Sequence, residues 1–272
     1  METKHNSKSW VQGLSLVCLT TLTGIIGPVL FLLIMTIVES FQPGYDPLHE
    51  TISILVWGPH GWLQTFIFLL FGFLLMVFAV RLYFAIGKSV SLRLGFAFLV
   101  LIALGFFLIG VFPTQGPGMS LTLHSLIHVY TTHAISILFI LACFAFALRF
   151  RADTRWKKFF LYTVITGVIA LILNILWVVV PSGWYWKGLH ERILVVNSLT
   201  WIAVMAVYLL QSCLRELWKS WRLLRALSSI LHRWSARARI TLLIILRETI
   251  DWVCTLIVGL LLASFSARQK LS

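Results

Sequence analysis

The sequence predicts an all-α fold, a polytopic transmembrane helix bundle. Of 272 residues, 60% are hydrophobic and only 11% charged, where a soluble domain carries about 25% charged residues. Mean hydropathy is +0.95. The apolar residues collect in runs near the length of about 20 residues that a helix needs to cross the hydrocarbon core. The runs lack the period-two alternation of barrel strands. A soluble enzyme, a disordered chain and a fibrous repeat do not fit these observations.

The first run, Leu14–Ile37, holds no charge. Pro28 lies inside it and predicts a kink, and Gly24 and Gly27 predict close packing. Lys4 and Lys8 precede it, as in a signal peptide. The run outlasts a signal h-region, however, and no A-x-A site follows, so it reads as a retained span. Trp62–Val80 is the second span and Leu94–Val111 the third. The fourth, near His124–Leu148, is interrupted by His124, His128 and His133. The fifth is Phe159–Val180, where Asn174 is expected to hydrogen-bond across helices. The sixth, near Ile193–Leu210, begins just after Glu191 and Arg192. These spans make a domain of residues 1–212.

Beyond it the pattern changes. In 213–239, Leu214, Leu217, Trp218, Trp221, Leu224, Leu227, Leu231 and Trp234 recur at steps of three or four. Arg215, Lys219, Arg222, Arg225 and Arg233 fall mostly opposite. This predicts a basic amphipathic interfacial helix on anionic inner-leaflet lipids. Residues 240–272 read as a C-terminal hydrophobic helix. Its apolar run Trp252–Phe265 is short for a span, so a seventh span and an interfacial helix both stand open.

The formal net charge is +13. Lys4, Lys8, Arg81, Lys88, Arg93, Arg149, Arg151, Arg155, Lys157 and Lys158 flank the spans on one side; Lys187 and Arg192 lie on the other. Ten against two places both ends of the six-span core in the cytoplasm of a plasma-membrane protein, and explains the charge without nucleic acid. Cys18 and Cys143 sit in apolar runs, and Cys213 and Cys254 are not in an outer loop, so no disulfide framework is expected.

Polar residues gather toward the outward side. His49, His60, His124, His128, His133 and His190 lie there, with Glu39, Asp46, Glu50 and Glu191. Ionisable groups at membrane depth are costly and face a cavity or a partner. His124 and His128, four apart, share a helix face, a spacing that paired metal ligands use. His133 falls roughly 140° round from His128. A short helix over His49–Ser53 would put those two on one face. One reading is a zinc (Zn) site of His124, His128 and an acid such as Asp46 or Glu50, with Glu191 as general base on a lipid substrate. Glu50, Ser53 and Glu191 are its catalytic candidates. In the other, histidines, acids and carbonyls pin the outer loop over the bundle. A polar lipid or small-molecule pocket is the third, with Tyr45, His49 and Arg192 as binding candidates. Arg192 suits a phosphate, an outer-loop carboxylate or an interfacial position. Trp57, Trp62, Trp184 and Trp186 read as an outer aromatic belt. The chain has no P-loop, no G-x-G-x-x-G and no G-x-S-x-G.

Tyr45-Asp46-Pro47 is followed by Ile52-Ser53 and Leu55, and Trp62 then opens the second span. Gly110-Val111-Phe112-Pro113 end the third, His124 opens the fourth, and Gly188 precedes Glu191-Arg192. In these pieces and their order the chain resembles the prokaryotic integral membrane family catalogued as domain of unknown function 998, over roughly residues 14–210. The resemblance implies a six-helix bundle of the Frag1/DRAM type and no established reaction. A second likeness is to membrane hydrolases of the ceramidase and progestin-receptor type, which bind zinc through Ser, Asp and His. This sequence departs from them, because its HxxxH lies in the fourth span rather than the last. The leading expectation is a membrane protein that interacts with membrane lipids or a small-molecule ligand through its outward cluster. The alternatives are a zinc-dependent lipid hydrolase and a proton-coupled transporter titrating His124, His128 and His133.

Overall fold

The computed structural model describes the backbone of residues 2–220 except Lys88, Pro117 and 180–183, and side chains within 16–216. The chain divides into two compact units, 15–211 and 1–14 with 212–272. The expected amphipathic helix (213–239) and terminal hydrophobic helix (240–272) lie outside the described residues from position 221 onward.

Among the described residues, six α-helices follow in order: α1 (Glu2–Ser40), α2 (Gly61–Ile86), α3 (Val90–Val111), α4 (Leu123–Ala152), α5 (Phe160–Val179) and α6 (Lys187–Ser220). Short 3-10 helices occupy Ile52–Trp57 and Lys157–Phe159. No strand occurs among the described residues. Each helix contains a stretch long and apolar enough to cross a membrane, from Leu16–Ser40 in the first to Lys187–Glu216 in the last. The protein is a multi-pass integral membrane protein.

Helix starts follow local chemistry. Ser89 caps α3 by accepting the Leu92 amide at 3.1 Å. Thr122 and Ser125 form a reciprocal capping box at the start of α4, at 3.2 and 3.0 Å. The connection after α4 is ordered by Asp153, whose carboxylate accepts from Arg149 at 2.9 Å and from Arg155 at 3.1 Å.

α2, α3, α4 and α5 pack as successive neighbours. On one side of the core, Phe31, Phe68, Phe71 and Phe106 meet with ring centroids 4.7–6.4 Å apart. On the other, Trp201 is wholly buried beside Phe139 and Phe146. Its indole N–H donates to Thr163 Oγ1 at 3.1 Å. Polar bonds inside a bundle fix helix pairing where lipid and core are equally apolar. The expected close packing at Gly24 is present: a Cβ there would stand 2.5 Å from the Phe78 ring.

Two expectations need correction. Asn174 does not bond across helices; its amide donates to Ala170 of its own helix at 2.8 Å. The carbonyl one turn back lies within reach of any short polar side chain. Asn197 makes the interhelical bond instead, donating to the Thr166 carbonyl at 3.2 Å. Cys18 and Cys213 are each in a disulfide, while Cys143 is free and buried.

Candidate functional site

The segment between α1 and α2 folds back over the start of α6. Gly188 makes this possible. A Cβ at that position would lie 2.3 Å from the Glu50 carbonyl oxygen and 2.6 Å from that of Pro47. The amide of Leu189 donates to the Leu48 carbonyl at 3.1 Å. Two side chains then fasten the segment. Glu191 Oε2 accepts the Ile52 amide at 2.6 Å. Arg192 donates through Nη1 to the Glu50 carbonyl at 3.0 Å and through Nε to Glu39 Oε1 at 3.1 Å. Its Nη2 bonds both Glu39 and the Tyr45 hydroxyl. Tyr45 in turn donates to the Thr51 carbonyl at 3.0 Å. Burial pushes the Tyr45 phenol well above its ordinary range, against the pull of Arg192.

A more exposed layer lies above. Asp46 Oδ1 accepts the Leu48 amide at 2.9 Å, and its Oδ2 accepts the Tyr185 hydroxyl at 2.8 Å. That bond to Asp46 raises the Tyr185 pKa. His49 stacks on Tyr185 and donates Nδ1–H to its carbonyl at 3.3 Å. The Asp46 amide donates to Glu50 Oε2 at 3.0 Å. The expected helix over His49–Ser53 is absent. Turns occupy His49 and Glu50, and a 3-10 helix starts only at Ile52, because Tyr45 and Arg192 hold the Thr51 and Glu50 carbonyls.

The histidines of α4 take separate positions. His128 is buried, and Nδ1 lies 2.7 Å from the Phe112 carbonyl. A carbonyl only accepts, so Nδ1 carries the proton. Nε2 of His128 has no hydrogen-bond partner. His124 is exposed and sets its ring edge-on to Phe112. His190 bonds the Leu173 carbonyl at 2.8 Å between Trp177 and Trp184. Among the described residues, no group of three His, Cys, Asp or Glu side chains stands where it could share a metal ion. The trio His124, His128 and Asp46 is not gathered into one.

Beneath the fastened segment lie two cavities. The outer is about 280 Å³ and polar in part, with His128, His133, Asn174 and Lys187 on its walls. The inner is about 100 Å³ and mainly apolar, walled by residues such as Phe71, Ile102 and Phe139. Ser53, Thr132, Ser136, Glu191 and Leu194 line both. Of the residues singled out in the sequence, Ser53, His128, His133, Asn174 and Glu191 line these walls. Tyr45, Asp46, His49, Glu50 and Arg192 form the fastening above. Thr132 and Ser136 were missed. Their signal was a step of four from His128 to 132 to 136, which repeats one face of α4.

The model of a family of proteins of unknown function, DUF998, matches residues 25–208. The chain belongs to this family. The matched stretch runs from the middle of α1 to the middle of α6, so the DUF998 region contains the fastened segment and both cavities. No curated protein and no solved structure matches the chain.

Proposed function

We propose that this DUF998 protein is a lipid- or ligand-interacting membrane protein that takes an amphipathic molecule into the paired cavities. The supporting observation is the shared wall. A partly polar chamber of about 280 Å³ and an apolar one of about 100 Å³ have Ser53, Thr132, Ser136, Glu191 and Leu194 in common. Ligand sites combine apolar walls with a few convergent polar groups in this way. The head of the ligand would occupy the outer chamber and its tail the inner one. The ten-to-two division of basic residues supports an orientation with the N-terminus cytoplasmic and the chambers toward the outer leaflet of the plasma membrane. The zinc hydrolase and the proton-coupled transporter draw no comparable support from the geometry.

The test is the lipid that accompanies the protein. Protein purified in mild detergent is extracted, and the extract compared by mass spectrometry with the bulk membrane. One amphipath enriched on the wild type and severalfold reduced on Leu194→Trp, which fills the shared wall, is the expected result. Identical bulk-like profiles on both, with both proteins folded, would overturn the reading.

A further inference from the structure

We propose that the ligand of the paired cavities binds through a head that donates hydrogen bonds, a hydroxyl or an ammonium, rather than through an acceptor-only carboxylate or phosphate. The inference rests on the reading of the cavities as one amphipathic site, and adds the chemistry of what enters.

It comes from the direction of the hydrogen bonds on the walls. Thr132 donates its hydroxyl proton to the His128 carbonyl at 2.9 Å. Ser136 donates to the Thr132 carbonyl at 3.2 Å. Asn174 donates one amide proton to Ala170 at 2.8 Å, which leaves its second N–H and Oδ1 for a ligand. His128 donates Nδ1–H to Phe112, so Nε2 of the neutral ring is an acceptor, and it has no partner. Glu191 accepts the Ile52 amide with one of its carboxyl oxygens.

Three wall side chains, Thr132, Ser136 and His128, thus have their protons turned into the protein backbone and lone pairs left over. Lys187, the cation of the outer chamber, has its ammonium over the Trp177 ring, 5.4 Å from the centroid. A head group with protons finds partners on such walls. A head with lone pairs alone leaves the buried Nε2 of His128 without a partner, and a buried polar group left unpaired is costly. Sites built to hydrogen-bond one head reject the analogue that lacks the matching group more strongly than apolar pockets reject a change of size.

The experiment compares dodecanol, dodecylamine and dodecanoate, which share one tail and differ in the head. Binding to the full chain in lipid nanodiscs is read by native mass spectrometry at equal probe content. Retention of the alcohol or the amine about tenfold above dodecanoate is the expected result; which of the two is held says whether the natural head is neutral or cationic. The preference should fall at least about threefold in Thr132→Val and Ser136→Ala, whose melting temperatures report that they fold. Dodecanoate held as well as the other two would overturn the donor assignment and leave the amphipathic site standing. An unchanged preference in both variants would overturn the assignment to these walls. Retention of none of the three would overturn the site itself.

Discussion

The α-carbon of Gly188 stands against the Glu50 carbonyl, so close that a methyl group on it would lie 2.3 Å from that oxygen. The obstacle is backbone, which cannot rotate away as a side chain does. Gly188→Ala should therefore lift the segment 41–57 from the start of α6 and cost about 2 kcal/mol. Differential scanning fluorimetry reads the loss, and faster limited proteolysis within 41–57 locates it. A variant as stable and as resistant as the wild type would contradict the contact.

The pair Arg192–Glu39 has side chains only 11% and 8% exposed. Removing one partner leaves an uncompensated charge away from water, at a cost of about 3 kcal/mol or more. Arg192→Met and Glu39→Gln should each melt well below the wild type. The double variant should lose less than the sum of the two. Additive losses would mean that the two charges do not interact.

The hydrogen bond from the Arg155 side chain, aided by charge, holds the Asp153 carboxyl below its ordinary value. A lowered carboxylate stabilises the fold above its unfolded pKa of about 3.9, and the contribution is lost as pH falls through the lower folded value. Arg155 is 65% exposed, so the effect is screened and worth about 1 kcal/mol or less. The stability gap between the wild type and Asp153→Asn should be constant from neutral pH to about 5 and close below about 3.9. A gap that widens on acidification would reverse the assigned sign.

The orientation is open to labelling. Phe41 and Thr154 are exposed and lie at opposite ends of the spans. In intact cells a membrane-impermeant maleimide should modify Phe41→Cys above the wild-type background and Thr154→Cys only after permeabilisation. The reverse pattern would invert the orientation drawn from the basic residues.

The bundle was legible because apolar length is a strong signal. Trp62–Val80 became Gly61–Ile86, and Leu94–Val111 became Val90–Val111. The missed ends, such as Arg81 to Ile86, carry polar or interfacial residues that a hydropathy reading cuts off. The site was legible only in part. That Glu191 and Arg192 matter could be read from their place at the mouth of a span. That Arg192 meets Glu39 could not, since 153 positions separate them and only the packed helices fix the partner. The same holds for His128, whose partner is a carbonyl, a group every residue has. HxxxH spacing gives a shared face but says nothing about what else reaches that face.

The long interval between Glu39 and Arg192 also sets an order for biogenesis. The carboxylate leaves the ribosome at the end of the first span, and its cation follows only at the opening of the sixth. Until then Glu39 must stay hydrated at the bilayer edge, and the segment behind it lacks the helix it will rest on. A chain arrested after α5 is complete in most of its apolar surface but carries an unneutralised acid and an unsupported loop. The sixth helix is therefore a signal of completion as well as a wall of the bundle.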